Sequence, residues 1–246
     1  MEKLLATLHA ATWVDLTHAF HEGIPHSPAF QPESRSVVST IERGPDGRPT
    51  GFLSHEYHHV GQWGTHVDPP SHFVPGLRHQ DEIPVTEMIL PLAVLDITSH
   101  VDGDADYAIT LADLEAWEGT HGRIPPGSFI ALRTGWSTRW PSQQRMMNAD
   151  SSGAFHYPGW SQEVLSTLFE DRGITACGHE TTDTDTGAAV SRGDSSLERY
   201  VLGTDHYQIE LLTNLELVPA TGALIVATWP KALHGSGFPA RVFAIY

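Results

Sequence analysis

His66, Asp68 and His72 fall within seven residues of the stretch 61–76, GQWGTHVDPPSHFVPG. Imidazole nitrogens and carboxylate oxygens hold zinc, manganese or iron, and histidine also moves protons near neutral pH. His66 and Asp68 are two residues apart, so an extended segment turns both side chains to one side. Pro69 and Pro70 forbid a helix linking Asp68 to His72. His72 must therefore reach the same place from a turn, as a ligand or as an acid/base group. The pattern points to a metal-dependent hydrolase, although so short a spacing also arises by chance.

Two further polar clusters lie downstream. In the segment 205–215, DHYQIELLTNL, His206, Gln208 and Glu210 alternate, so a strand would put all three on one face. The row is either the wet side of an edge strand or the far half of a metal site that Glu210 completes. The segment 178–187, GHETTDTDTG, carries His179, Glu180, Asp183 and Asp185 directly after a predicted strand. Active-site loops of α/β proteins often lie there, and turn chemistry accounts for the same residues without a site.

These groups need a scaffold. The 246 residues suffice for one large domain, and 40% hydrophobic against 18% charged residues is a globular composition. With 22 Gly and 17 Pro the chain is rich in turns. A net charge of −16 and the lack of any basic run argue against nucleic acid or an anionic membrane as partner. Cys177 is the single cysteine, so neither an internal disulfide nor a Cys-rich zinc site can form, and its apolar neighbours predict a buried thiol. The N-terminal run is too short and interrupted for a signal or span, which makes the cytoplasm the default location.

Helices are predicted over 111–117, with Thr110 as cap and Asp113 three residues on, and over 161–171, ended by Gly173. Strands are predicted at 93–97, 128–133, 174–178, 223–228 and 241–245, and WVDLT near the start reads as another. Helices followed by buried strands predict a mixed α/β domain spanning 1–246. The segment 136–159 reads as a long loop, of the kind that forms lids or dimer arms.

The motif Gly64-Thr65-His66, Asp68, Pro70, His72 resembles the signature of the cyclase-like metal hydrolases, which include bacterial kynurenine formamidases and isatin hydrolases. Four further segments resemble that family in order: WVDLTHAFHEGIP at 13–25, LRTGWSTRW at 132–140, ELLTNLELVP at 210–219 and GFPARVFAI at 237–245. The resemblance implies a single α/β domain of the swivelling β/β/α type with a mixed sheet, in a homodimer or higher homo-oligomer. It makes His66, Asp68 and Glu210 ligands of a divalent metal, Zn2+ or Mn2+, and His72 the catalytic acid/base.

Two positions depart from the family pattern. Its first histidine falls on Gln62, a weaker neutral ligand, and another falls on Glu198, for which His206 could substitute from another direction. The implied reaction is hydrolysis of a carbon–nitrogen bond in a small, possibly aromatic, formamide or cyclic amide by a metal-bound hydroxide. Trp63 would stack on the substrate or simply pack. Hydrolysis of a lactone or other ester on the same site is one alternative. A non-catalytic binding protein with a decayed site is the other.

Overall fold

Short runs of aliphatic residues between turns build most of the structure. The computed structural model describes Met1–Tyr246. Its strands are β1 (Trp13–Asp15), β2 (Ser34–Arg43), β3 (Pro49–His58), β4 (His66–Asp68), β5 (Ile89–Asp96), β6 (Phe129–Arg133), β7 (Ala176–His179), β8 (Tyr207–Glu210), β9 (Ala223–Thr228), β10 (Phe238–Pro239) and β11 (Arg241–Ile245). Nine of them form one mixed sheet in the order β1-β11-β9-β5-β6-β7-β8-β4-β10. The central strands β5 to β8 run parallel, and antiparallel pairs flank them.

Parallel neighbours need crossovers, and helices supply them at Leu111–His121, Gln162–Ser166 and Ser196–Gly203. The first carries the predicted capping box: Asp113 N–H donates to Thr110 Oγ1, and Asp113 Oδ2 accepts from Thr110 N–H. The predicted helix at 161–171 is capped by Ser161 but loosens after Ser166 into a wider turn over Thr167–Asp171.

Alternation along the central strands divides the core. Leu92, Val94, Phe129, Ala131, Tyr207 and Ile209 enter one apolar cluster, which also holds Val14 from β1 and Val67 from β4. Those two strands lie toward opposite ends of the sheet, so the sheet curls until its ends share one core. The intervening residues Ala93, Leu95, Ile130, Leu132 and Cys177 pack on the other face against the crossover helices. Each fully buried aliphatic side chain is worth about 1.5–3 kcal/mol. No helix is long and apolar enough to cross a membrane.

One expectation about the periphery changes. The segment 136–159 is no free arm, because Trp136, Met146, Met147 and Tyr157 bury themselves in a third small cluster. The projecting element is instead the β2–β3 hairpin, a separate two-stranded sheet exposed along nearly its whole length.

Glu180, next after β7, ties that strand to the turn following β6. Its Oε2 accepts from Thr134 N–H and Gly135 N–H, both at 2.6 Å, and from Thr134 Oγ1. Oε1 accepts from Ser137 Oγ at 2.7 Å. Burial raises its pKa and these donors work against the rise, so the carboxyl is a structural acceptor. Glu180→Ala would strand two buried N–H groups and should cost about 3 kcal/mol. A urea-unfolding midpoint within error of wild type would remove Glu180 from this role.

Candidate metal centre

The site begins with strand register. β4 and β8 are antiparallel, with His66 opposite Glu210, Val67 opposite Ile209 and Asp68 opposite Gln208. Val67 and Ile209 point into the inner core, so period-2 alternation sends the other four side chains together to the opposite face. His66 Nε2 then lies 3.3 Å from Asp68 Oδ2 and 3.6 Å from Glu210 Oε2. All three residues are buried.

Local chain geometry sets the remaining positions. Gly64 holds a φ of +65°, and a Cβ there would press on Phe20. The turn brings Gly64 C=O to His66 Nδ1 at 2.8 Å; a carbonyl only accepts, so Nδ1 carries the proton and Nε2 keeps its lone pair. Pro69 is extended and Pro70–His72 forms one 3-10 turn, which returns His72 Nε2 to 3.9 Å from Asp68 Oδ1. His72 thus reaches the site from a turn, as the prolines require.

The helix Ser196–Gly203 adds Glu198. Asp185 accepts from Leu197 N–H and Glu198 N–H, both at 3.1 Å, and so anchors that helix end. Two sets of groups have ligand atoms all within 4.8 Å of one another: His66, Asp68 and Glu210, and Asp68, His72 and Glu198. Asp68 is common to both. Gln62 donates from Nε2 to Asp68 Oδ1 at 3.2 Å and to Ser236 C=O at 2.7 Å. In the middle, Gln208 Nε2 faces Asp68, Glu198 and Glu210.

The electrostatics favour a cation. Asp68, Asp183, Glu198 and Glu210 line a cleft of about 190 Å³ that no Lys or Arg lines. Burial, then repulsion from Asp68, pushes Glu198 and Glu210 well above the usual carboxylate range. Asp68 goes the other way: burial raises it, but His66, His72 and Gln62 outweigh that and bring it to about 2. Burial pulls His66 down, and the charge and hydrogen bond of Asp68 more than restore it. His179 is fully buried and burial depresses it to about 3, so it is neutral. Trp160 Nε1–H donates to its Nδ1, and its Nε2, 3.5 Å from Glu210 Oε1, has no hydrogen-bond partner. Oxygen and imidazole donors and excess buried negative charge together fit a divalent ion.

Other sequence expectations separate here. His206 does not join the cleft: its Nδ1 donates to Thr175 C=O and its ring packs on Phe169. Alternation fixed the face correctly, but four residues of strand put it about 13 Å from Glu210. Trp63 is fully buried and its Nε1–H donates to Glu33, so it is core and presents no face to a substrate. From the cluster 178–187, His179 and Asp183 reach the site, whereas Glu180 and Asp185 brace the backbone. Gln208, Glu198 and Asp183 were visible as polar residues, but their convergence depends on helix and loop docking.

Comparison with known proteins agrees with this architecture. The Cyclase family model matches residues 14–186. An isatin hydrolase of Roseibium aggregatum is 30% identical over 187 residues, covering 74% of this chain and 70% of that one. The structure of isatin hydrolase A from Labrenzia aggregata, bound to benzyl benzoate, superposes with a TM-score of 0.88 at 29% identity, covering 99% of this chain and 98% of the other. Isatin hydrolase A from Ralstonia solanacearum gives 0.89 at 29%, with 99% and 96% covered. The curled mixed sheet, the ordered motif and these matches agree: the chain belongs to the cyclase-like metal-dependent hydrolase family.

Proposed function

We propose that this metal-dependent amidohydrolase opens the ring of a small aromatic lactam of the isatin type. The observation that carries the reading is the convergence of His66, Asp68 and Glu210 from β4 and β8 in a cleft that no lysine or arginine lines. The 29–30% identity to isatin hydrolases supports the substrate class. At about 190 Å³ the cleft is below the usual 300–1,000 Å³ of ligand pockets, which suits a small substrate, and Phe30 and Phe73 give it aromatic walls.

His66, Asp68 and Glu210 would hold a divalent metal, Zn2+ or Mn2+. Such an ion supplies positive charge that polarises the amide carbonyl and makes water more acidic. The chain's own residues do the rest. Gln62 keeps Asp68 oriented, and the Gly64 carbonyl keeps the His66 lone pair directed inward. His72 is the partly exposed imidazole of the set, with its side chain 24% accessible and in contact with Asp68. It takes a proton from the attacking water and returns it to the leaving nitrogen, the two halves of a role that imidazole commonly fills.

The working unit is proposed to be a homodimer. Each hairpin strand has ten residues, so the arm reaches about 33 Å, and a lone two-stranded sheet is barely stable in water. Val37, Val38, Ile41, Phe52 and Leu53 are all more than half exposed on it. At its base a groove of about 810 Å³ is lined by Phe20, Arg35, Tyr57, Trp229, Phe238 and Arg241. Arm and groove on one chain form a self-complementary pair, the condition for a two-fold interface.

Three outcomes test this reading. Tag-free protein should carry about one or two equivalents of Zn or Mn by elemental analysis, as isolated or after reconstitution, and Glu210→Ala should lose them. Full occupancy in that variant would sink the ligand assignment. His72→Ala should keep its metal while kcat on a lactam falls roughly 100-fold or more; unchanged turnover would exclude His72 from the proton path. Phe52→Asp should convert a dimer of twice 27.0 kDa to monomer in sedimentation velocity, and a monomeric wild type would refute the arm.

A further inference from the structure

The cleft contains one acidic group outside both metal-capable sets. Asp183 and Thr182 line the same cleft as His66, Asp68 and Glu210. It belongs to neither group whose ligand atoms lie mutually within 4.8 Å. Its two oxygens are treated very differently. Oδ2 accepts from Tyr157 Oη at 2.5 Å and from Thr182 Oγ1 at 2.9 Å. Oδ1 has no hydrogen bond from the protein. Tyr157 is itself almost wholly buried, and burial followed by the Asp183 charge drives its phenol far above the normal range, so it remains a donor. The carboxylate is thus held by two hydroxyls at one oxygen and left short of a donor at the other.

Oδ1 is not a sealed-off atom but is open to the cleft, where a donor that enters can meet it. Burial raises the Asp183 carboxyl to about 6, against the pull of the Tyr157 and Thr182 donors. A lactam offers the cleft two polar handles. Its carbonyl is an acceptor and seeks the cation. Its ring N–H is a donor and needs an acceptor that is not committed to the ion. His66, Asp68, His72, Glu198 and Glu210 all belong to the metal-capable sets. Asp183 stands apart from them, on a rigid mount, with a free oxygen.

We propose that Asp183 Oδ1 accepts the N–H of the scissile amide and makes the site select a secondary lactam over compounds that lack that hydrogen. The inference rests on the lactam reading above. A lactone presents an oxygen lone pair where the N–H would be, and facing a carboxylate it is repelled. A site built to hydrogen-bond a substrate N–H rejects an analogue without it strongly, because the acceptor is then left unpaired. Because Asp183 is only partly buried, water can meet some of that need and the discrimination falls short of a sealed pocket's.

The test pairs isatin and oxindole with their N-methyl derivatives and reads kcat/KM together with metal content. Wild type should favour each N–H compound by at least tenfold. Asp183→Ala should bring the ratio close to one, by losing rate on the N–H compound alone, with metal content unchanged. Asp183→Asn, which keeps the volume and a weaker acceptor, should fall between. A wild-type ratio preserved in both variants would overturn the inference while leaving the hydrolase reading intact. Metal loss in the variants would overturn it too, by making Asp183 a ligand. A metal-loaded wild type that cleaves none of the four would sink the lactam reading and the inference together.

Discussion

The pairing of β4 with β8 is the constraint on which the site depends. His66 stands opposite Glu210 because Val67 and Ile209 are both fully buried on the other face. A slip of one residue would turn His66, Asp68 and Glu210 into the apolar core and bring Val67 and Ile209 out to the cleft. The burial that stabilises the sheet therefore also sets the geometry of the candidate metal site. Both strands are only three or four residues long, so their neighbours must hold the register: β7 on one side of β8, and β10 on the outer edge of β4.

The same site works against the stability of the chain that builds it. Four carboxylates share a cleft with His66 and His72 but with no lysine or arginine in its lining, and Glu198 and Glu210 are displaced far toward their neutral forms. Removing acids from water is costly unless a counter-charge is supplied. A bound cation would supply it, and metal binding would then be linked to folding. Glu180 and Asp185 are spent on backbone N–H groups of other segments, at Thr134–Gly135 and Leu197–Glu198, and carry the mechanical side of the arrangement.

Local signals in the sequence went as far as local physics allows. The central strands followed from short apolar runs between turns, the capped helix was legible over 111–117 though it runs on to His121, and the motif at 64–72 located half of the candidate site. Alternation also placed Glu210 on the proper face, but it carries no distance, which is why His206 shared the face and not the cleft. Trp63 reads as a candidate stacking surface because its partner Glu33 is thirty residues away. The β2–β3 hairpin escaped notice because it buries neither face, so its residues lack the alternation by which a half-buried strand is recognised. Asp183 and Glu198 join the site only once a loop and a helix dock, events set by contacts far apart in sequence.

Gln208 explains how so acidic a cluster remains ordered. Thr184 Oγ1 donates to Gln208 Oε1 at 2.6 Å, which turns the amide nitrogen toward Asp68, Glu198 and Glu210. Two N–H bonds among three carboxylates cannot satisfy all of them, so the shortage of donors persists and an ion still finds acceptors. A lysine or arginine at this position would neutralise the cluster permanently and compete with the metal for the same oxygens. A neutral amide separates the acids, fixes their directions and leaves their charge available. That choice of an uncharged spacer, on the strand that also carries Glu210, lets one stretch of four residues both build the core and keep the site ready for a cation.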